Sequence, residues 1–394
     1  MQTLGVGMVG YGFIGKVHCH AHRSLPLFYD PLPAKTKLVG VCTATPESGE
    51  KAKSQADFEF ETRDYHALLS RDDIHLIHVC TPNAHHKQVV LDALKAGKHI
   101  YCDKPLALNV AEAEEILLAS QSASNTVRQM TFNYRFVPAL LRARELVEAG
   151  FLGDLFQFRA AYLHAGYISP ERPHTWRLDH AQSGGGAISD LGAHVIDLVR
   201  FLLASGVNVG RAGEFEKVSA QLETVIQERK EAKTGLMRTV DVDDIALVNC
   251  RLEGGARGIL EASRLSTGVQ DELRIELHGT RGAIRFNLME ADWLDIYDAT
   301  LPEAALGGGR GFTRIESVMR YPKPYSLGAT KNTVGWLNFH IASVFDFVSN
   351  VAAKLEGRPL NPQSPTFEDG LRTQKVISAC QASSLDESLW KIVR

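Results

Sequence analysis

The segment Leu4-Gly5-Val6-Gly7-Met8-Val9-Gly10-Tyr11-Gly12-Phe13-Ile14-Gly15 decides the fold. Its first part is a short apolar run of strand character. The rest fits G-x-G-x-x-G and opens a helix, the context in which that spacing carries weight. In that setting Gly10 permits a tight turn, Gly12 lets a backbone approach a diphosphate, and Gly15 lets the helix pack closely on the strand. The helix N-terminus then faces the phosphate charge. An ordinary strand-to-helix glycine turn is the plain alternative, and the place at the head of a strand–helix series argues against it. Lys16 raises the thought of a P-loop, but the spacing is wrong and Val17 stands where Ser or Thr would meet magnesium.

Working outward, further apolar runs follow at Lys37–Cys42, His75–Cys80, His99–Cys102 and Thr126–Thr131. Near-continuous runs of this length suit strands buried on both faces, as in a parallel sheet. Helical stretches separate them, such as Lys87–Ala96 ending at Gly97. The spacing predicts a doubly wound α/β domain over 1–133. After that the pattern changes. Helical stretches at Pro138–Glu148 and Ala187–Leu203 precede alternating segments at Asp244–Leu252, Gly258–Leu265, Leu273–Leu277 and Ala283–Leu288. These predict a second, α+β domain over 134–394 with a large open, mostly antiparallel sheet. Helices at Trp336–Leu355 and Phe367–Ala382 close the chain, and the C-terminal helical region, 366–391, is expected to pack back on the first domain.

Composition excludes several classes. With 43 Lys+Arg against 46 Asp+Glu, no basic excess exists to drive nucleic-acid binding. No apolar stretch approaches the about 20 residues of a membrane helix, and no secretory signal is visible. The six cysteines are scattered without a Cys-x-x-Cys pair, which reads as buried thiols in a reducing cytoplasm. In His18-Cys19-His20-Ala21-His22 only His18 and His22 share a helix face, and two ligands do not make a metal site. No metal is expected. Adjacent His85 and His86 point in different directions.

Three islands carry the chemistry. Thr81-Pro82-Asn83 with His86 follows the third long apolar strand, and Asp103-Lys104-Pro105 follows the fourth. Ligands of open α/β sheets bind at the carboxyl ends of strands, where both loops fall. The third island is Ser183–His194, in which Asp190 and His194 form an i, i+4 pair on one helical face. At the end of the second strand, Cys42-Thr43-Ala44-Thr45 lacks the carboxylate that bonds the NAD ribose, and no Arg stands beside it. That leaves NAD and NADP both open, with Thr43 at the cofactor.

On these motifs, together with Asn133-Tyr134-Arg135 and Gly184–His194, the chain resembles the glucose–fructose oxidoreductase / inositol dehydrogenase (Gfo/Idh/MocA) family end to end. Within it, Tyr167–Arg177 is most similar to members acting on free sugars or anhydrosugars, of the levoglucosan dehydrogenase type. The resemblance implies a Rossmann domain followed by an open-sheet domain, and hydride transfer between a sugar or cyclitol and a nicotinamide cofactor. It implies that Lys104 is the catalytic lysine, here in Asp-Lys-Pro instead of Glu-Lys-Pro, and that Asp190 and His194 are the catalytic pair. His194 is then the general base, Lys104 bonds the reacting oxygen, and Asp190 orients substrate or His194. A base of pKa near 7 suits removal of a hydroxyl proton, and a cation at the reacting oxygen supplies electrostatic stabilisation.

Gly10, Gly12, Phe13, Ile14, Gly15, Thr81, Pro82, Asn83, His86, Asp103 and Lys104 are the cofactor-side candidates. Arg135 faces substrate or pairs with an acid. Tyr162, His164, Trp176 and Arg177 are candidates for the substrate pocket. Lys104 and His194 are expected to meet over the nicotinamide at a cleft between the domains. Homodimers or homotetramers through an apolar outer sheet face are expected too. A nicotinamide-binding sensor without turnover is the rival of another class, and an imine or enone reductase is the enzymatic one.

Overall fold

The computed structural model describes residues 2–203, 213–302, 305–308, 310–321, 325 and 335–394. In it β1 (Thr3–Val9) is buried along almost its whole length, as its unbroken apolar run demands. It stands at the middle of a parallel sheet with β2 (Lys35–Cys42), β3 (Phe60–Thr62), β4 (Leu76–Val79), β5 (His99–Cys102) and β6 (Arg128–Met130), in the order β3-β2-β1-β4-β5-β6. The topological switch lies between β1 and β4, where such sheets open a crevice for ligands.

Two compact units make up the chain: Met1–Phe136 with Pro322–Arg372, and Val137–Tyr321 with Thr373–Arg394. This differs from a single crossing near residue 133, and the cause lies in how the first sheet is covered. Helices α1 (Phe13–Phe28) and α2 (Pro46–Ala56) lie on one face, sharing a core with Met8 and Val41. On the other face, α3 (His66–Leu69), α4 (His86–Lys95) and α5 (Val110–Ser122) pack on Ile77, Val79, Ile100 and Cys102. That leaves the α1 side of β4, β5 and β6 bare. A distant helix fills it.

Numbered in chain order after α6 (Pro138–Glu148), α7 (His180–Ser183) and α8 (Ala193–Leu203), this helix is α9 (Trp336–Leu355). Its Ile341, Val344, Phe347, Val348 and Val351 bury against Leu4, Leu25, Leu76 and Tyr101, and the Tyr101 hydroxyl bonds Ser343 (2.6 Å). Each such side chain contributes about 1.5–3 kcal/mol. Closing a longer loop costs only about 0.6 kcal/mol per doubling of length, so the return is favourable. Helix α10 (Phe367–Leu385) is divided between the units. Its Phe367 and Leu371 join the first core, while Ser383 accepts the Ala220 N–H in the second.

The second unit is built on a nine-stranded sheet ordered β16-β15-β14-β13-β7-β12-β11-β8-β17. Its strands are β7 (Leu155–Leu163), β8 (Phe215–Glu223), β11 (Ile245–Leu252), β12 (Arg257–Ser263), β13 (Glu272–Gly279), β14 (Gly282–Asn287), β15 (Trp293–Asp298), β16 (Thr313–Glu316) and β17 (Lys391–Ile392). A separate hairpin pairs β9 (Glu228–Lys230) with β10 (Met237–Thr239). Among the described residues, β7 and β12 pair parallel and the other pairs of the large sheet are antiparallel. Phe158, Ala160 and Tyr162 of β7 are buried, as are Leu273, Ile275 and Leu277 of β13, and α8 packs against both strands. The outward face departs from the expected apolar surface. Leu247 and Ile259 are exposed there, but Arg159, Glu261, Arg274 and Glu276 stand among them.

The first unit also buries four imidazoles together. His18 and His22 of α1 meet His78 of β4 (His22 Nε2 to His78 Nε2, 2.9 Å; His78 Nδ1 to His18 Nδ1, 3.1 Å). His340 of α9 lies beside His18, with ring centroids 6.0 Å apart. His22, His78 and His18 bond one another in single file, and His340 joins them by ring contact alone. Among the described residues no group of three or more His, Cys, Asp or Glu is arranged to hold a metal ion.

Burial pushes His22 and His340 down to about 3 and His99 to about 4. In the unfolded chain each titrates near about 6.5. Below that pH the unfolded state binds protons that the folded state refuses, so stability falls as pH drops from about 6.5 towards 3–4. At pH 5 the loss is about 2 kcal/mol per histidine. Urea unfolding at pH 7.5 and pH 5 is expected to show a marked acid loss that His340→Phe reduces. Equal losses in both proteins would assign the sensitivity elsewhere.

Candidate active site

At the crest of the first sheet, Gly10 has φ +97°, a left-handed conformation that glycine adopts without strain. A β-carbon there would lie 2.5 Å from the Cys80 carbonyl oxygen, and one at Gly15 would lie 2.4 Å from the Gly10 carbonyl oxygen. Gly12, which caps α1, is the opposite case: no heavy atom lies within 4 Å of where its β-carbon would stand. No acid occupies the first turn of α1, and its Gly12 cap supplies no side-chain acceptor. The terminal N–H groups and the helix dipole therefore face open space, which fits a dinucleotide diphosphate.

The loops after β4 and β5 reach the same edge of the sheet. Thr81 follows β4, and its hydroxyl is buried with no hydrogen-bond partner among the described residues. Asn83 is buried and opens a short helical turn. The ring of His86 is fully buried, with Nδ1 2.9 Å from Pro105 O and Nε2 3.1 Å from Thr81 O; burial lowers its pKa, the two carbonyls act against that, and the neutral ring donates to one of them at a time. It clamps the two loops together, while His85 is exposed. Asp103 accepts the Lys104 N–H (2.9 Å), and Lys104 is half-buried.

At the end of β2, Thr43 donates to the Thr45 carbonyl (3.0 Å), and Thr45 caps α2 by accepting the Ser48 N–H (3.3 Å). The sequence reading finds no Arg here. The fold supplies one, because Thr43 N–H donates to the Thr62 carbonyl (3.1 Å) and brings Arg63 alongside, already paired with Glu61. Arg135 pairs with Asp369 (3.1 Å) and is 5% exposed, so of its two readings the structure favours the acid partner.

In the second unit the Ser183–His194 island is organised by a buried carboxylate that sequence reading missed. Asp243 accepts the N–H groups of Gly186 and Ile188 (2.8 Å each), and its carbonyl accepts that of Ala187 (2.8 Å). Gly186 is required there, since a β-carbon would lie 1.8 Å from the Asp243 carbonyl oxygen. So capped, the chain makes a π-helical turn, Ile188–Gly192, and continues as α8. Single π turns inside helices often mark functional sites. Asp190 sits in that turn, and His194 follows in α8, buried, its ring edge-on to Tyr162 at 5.7 Å.

A second missed residue completes this group. Arg264, 1% exposed just past β12, donates to the Asp190 carboxylate (3.0 Å) and lies 4.8 Å over the Tyr167 ring. His164 is buried enough to lower its pKa, with Asp190 acting in the opposite sense, and its Nδ1 accepts the Gly166 N–H (2.9 Å). The Arg177 guanidinium covers the Trp176 ring at 4.3 Å. Arg264 thus holds Asp190, and both act on the charge of His164, while His194 packs against Tyr162. The only signal for Arg264 in the sequence is a lone charge at the end of an apolar strand.

The description "Oxidoreductase family, NAD-binding Rossmann fold" matches residues 4–131, and "GFO/IDH/MocA C-terminal domain" matches 140–285. The chain belongs to the Gfo/Idh/MocA oxidoreductase family. Levoglucosan dehydrogenase of Pseudarthrobacter phenanthrenivorans is 32% identical over 401 residues, 98% of each chain. A crystal structure of an oxidoreductase domain protein from Kribbella flavida superposes with TM-score 0.90 at 35% identity over 100% of both chains. Levoglucosan dehydrogenase in complex with NADH and levoglucosan superposes with TM-score 0.89 at 33% identity, again over 100% of both. As a Gfo/Idh/MocA member the protein is an NAD-binding oxidoreductase with a Rossmann domain and an open, mostly antiparallel second sheet.

Arg264→Met leaves the Asp190 carboxylate without its buried partner. Breaking a buried pair costs about 3 kcal/mol, at the low end here because Asp190 is a quarter exposed. Urea unfolding checks the stability loss, and turnover should fall with it.

Proposed function

We propose that this Gfo/Idh/MocA member oxidises a secondary alcohol of a sugar, anhydrosugar or cyclitol, or reduces the matching ketone. The observation that carries the reading is the polar group in the second unit. A buried imidazole stands one turn after a carboxylate that Arg264 holds in place. A levoglucosan dehydrogenase that matches along the full chain favours the anhydrosugar end of that range.

His194 takes the hydroxyl proton, a task for which imidazole has a suitable pKa. Lys104 donates to the same oxygen and stabilises its developing charge. Asp190, fixed by Arg264, orients the substrate hydroxyls beside His194. Tyr162, His164, Trp176 and Arg177 supply the ring faces and donors of the sugar pocket. Gly10, Gly12, Phe13, Ile14 and Gly15 hold the dinucleotide diphosphate, with Thr81, Pro82, Asn83 and Asp103 on the nicotinamide side and Thr43 on the adenosine side. When bound, the nicotinamide accepts or returns the hydride. His86 acts by clamping the Thr81 and Pro105 loops. The mixed charges of the outward sheet face suit pairing with a second copy into dimers or tetramers, which sedimentation velocity tests.

Absorbance at 340 nm with NAD or NADP against a panel of sugars, anhydrosugars and inositols tests the reaction. Silence across the panel in a protein that binds dinucleotide would favour a sensor. Lys104→Ala and His194→Ala are each expected to lower turnover by about two to four orders of magnitude. Turnover within about threefold of the parent in either variant would remove that residue from its role.

A further inference from the structure

Beside the glycine loop stands a second helix N-terminus that no motif announces. Phe13, the first residue of α1 after Gly12, is large and apolar yet 70% exposed. Its ring stacks on Trp336, the first residue of α9, with centroids 5.5 Å apart and planes inclined by 20°. Trp336 is half-buried and rests edge-on against His340 (4.3 Å). Neither helix carries an acid in its first turn, so two positive helix ends lie together at the loop. His340 is 2% exposed, and neither of its ring nitrogens has a hydrogen-bond partner among the described residues. An apolar residue would fill that place more favourably. The packing under Trp336 is therefore not the one stability alone would select.

The strand order fixes which half of a dinucleotide this pair would meet. The adenosine half runs towards the end of β2, on one side of β1, and the nicotinamide half towards β4 and β5 on the other. Helix α9 lies on that second side, with Ile341, Val344 and Phe347 in one core with Leu76 and Tyr101.

We infer that Trp336, braced by Phe13 and His340, is an aromatic wall against which the nicotinamide half of the bound dinucleotide packs. This rests on the reading of the glycine loop as a dinucleotide site and adds to it a binding residue from the far end of the chain. A flat ring stacked on indole is held sequence-independently by its π face, and the wall also keeps water from that side.

NADH titration of the intact protein tests it by indole-to-NADH energy transfer, with Trp176, Trp293, Trp336 and Trp390 replaced in turn by Phe. Trp336→Phe is expected to remove the largest share of the transfer while binding NADH within about threefold of the parent, since a phenyl ring still stacks. Trp336→Ala is expected to raise the Kd for NADH about tenfold or more. If the parent protein bound neither NADH nor NADPH, the dinucleotide reading itself would fail. If the parent binds NADH and Trp336→Ala binds it equally well, only the wall falls. Should the alanine variant not fold, undiminished transfer in Trp336→Phe would overturn the inference in its place.

Discussion

There is no room for a methyl group between the α-carbon of Gly10 and the carbonyl of Cys80. That single exclusion lets β1 turn into α1 against the end of β4, and it leaves the first helix with its N–H groups pointing into an open crevice. The loops after β4 and β5 inherit their positions from the same arrangement, because the strands beneath them are locked in register with β1. His86 then holds those loops to each other through backbone carbonyls, so the side chains they carry are placed by main chain and not by one another.

The second unit solves a comparable problem with charge. A helix that starts inside a protein must satisfy its first N–H groups, and Asp243 does this for the stretch that presents Asp190 and His194. Burial raises the pKa of Asp243, whereas its bonds to Gly186 and Ile188 and the field of Arg264 act against that rise. The same guanidinium grips Asp190. One arginine therefore steadies both the root of this helix and the carboxylate in its π-helical turn.

Much of this was legible in the sequence wherever short-range spacing carried the information. The glycine loop, the Thr81 and Lys104 loops and the Asp190–His194 pair all declared themselves through local pattern, as did the parallel and antiparallel halves. Long-range partners did not. Nothing near Arg264 marks it as the counter-charge of Asp190, nothing near Arg63 places it beside Thr43, and His78 is an ordinary strand residue until α1 and α9 surround it. The return of Pro322–Arg372 to the first unit was not legible, for the same reason. Periodicity identified α9 as a helix, but which sheet it covers depends on which face elsewhere lacked a partner. The outward sheet face was misjudged because alternation tells which residues turn outward and not how its charges and apolar groups intermix.

The return of α9 has a consequence for how such a protein can be recombined. Residues 1–136 look like a portable nucleotide module, yet excised alone they would present Leu76, Tyr101 and Val127 as a bare apolar flank. Any natural or laboratory transplant of this half must bring along a stretch encoded some two hundred codons downstream, or supply a substitute cover. A cut after residue 136 therefore separates this sheet from its own cover, which lies beyond the whole intervening segment of the second unit.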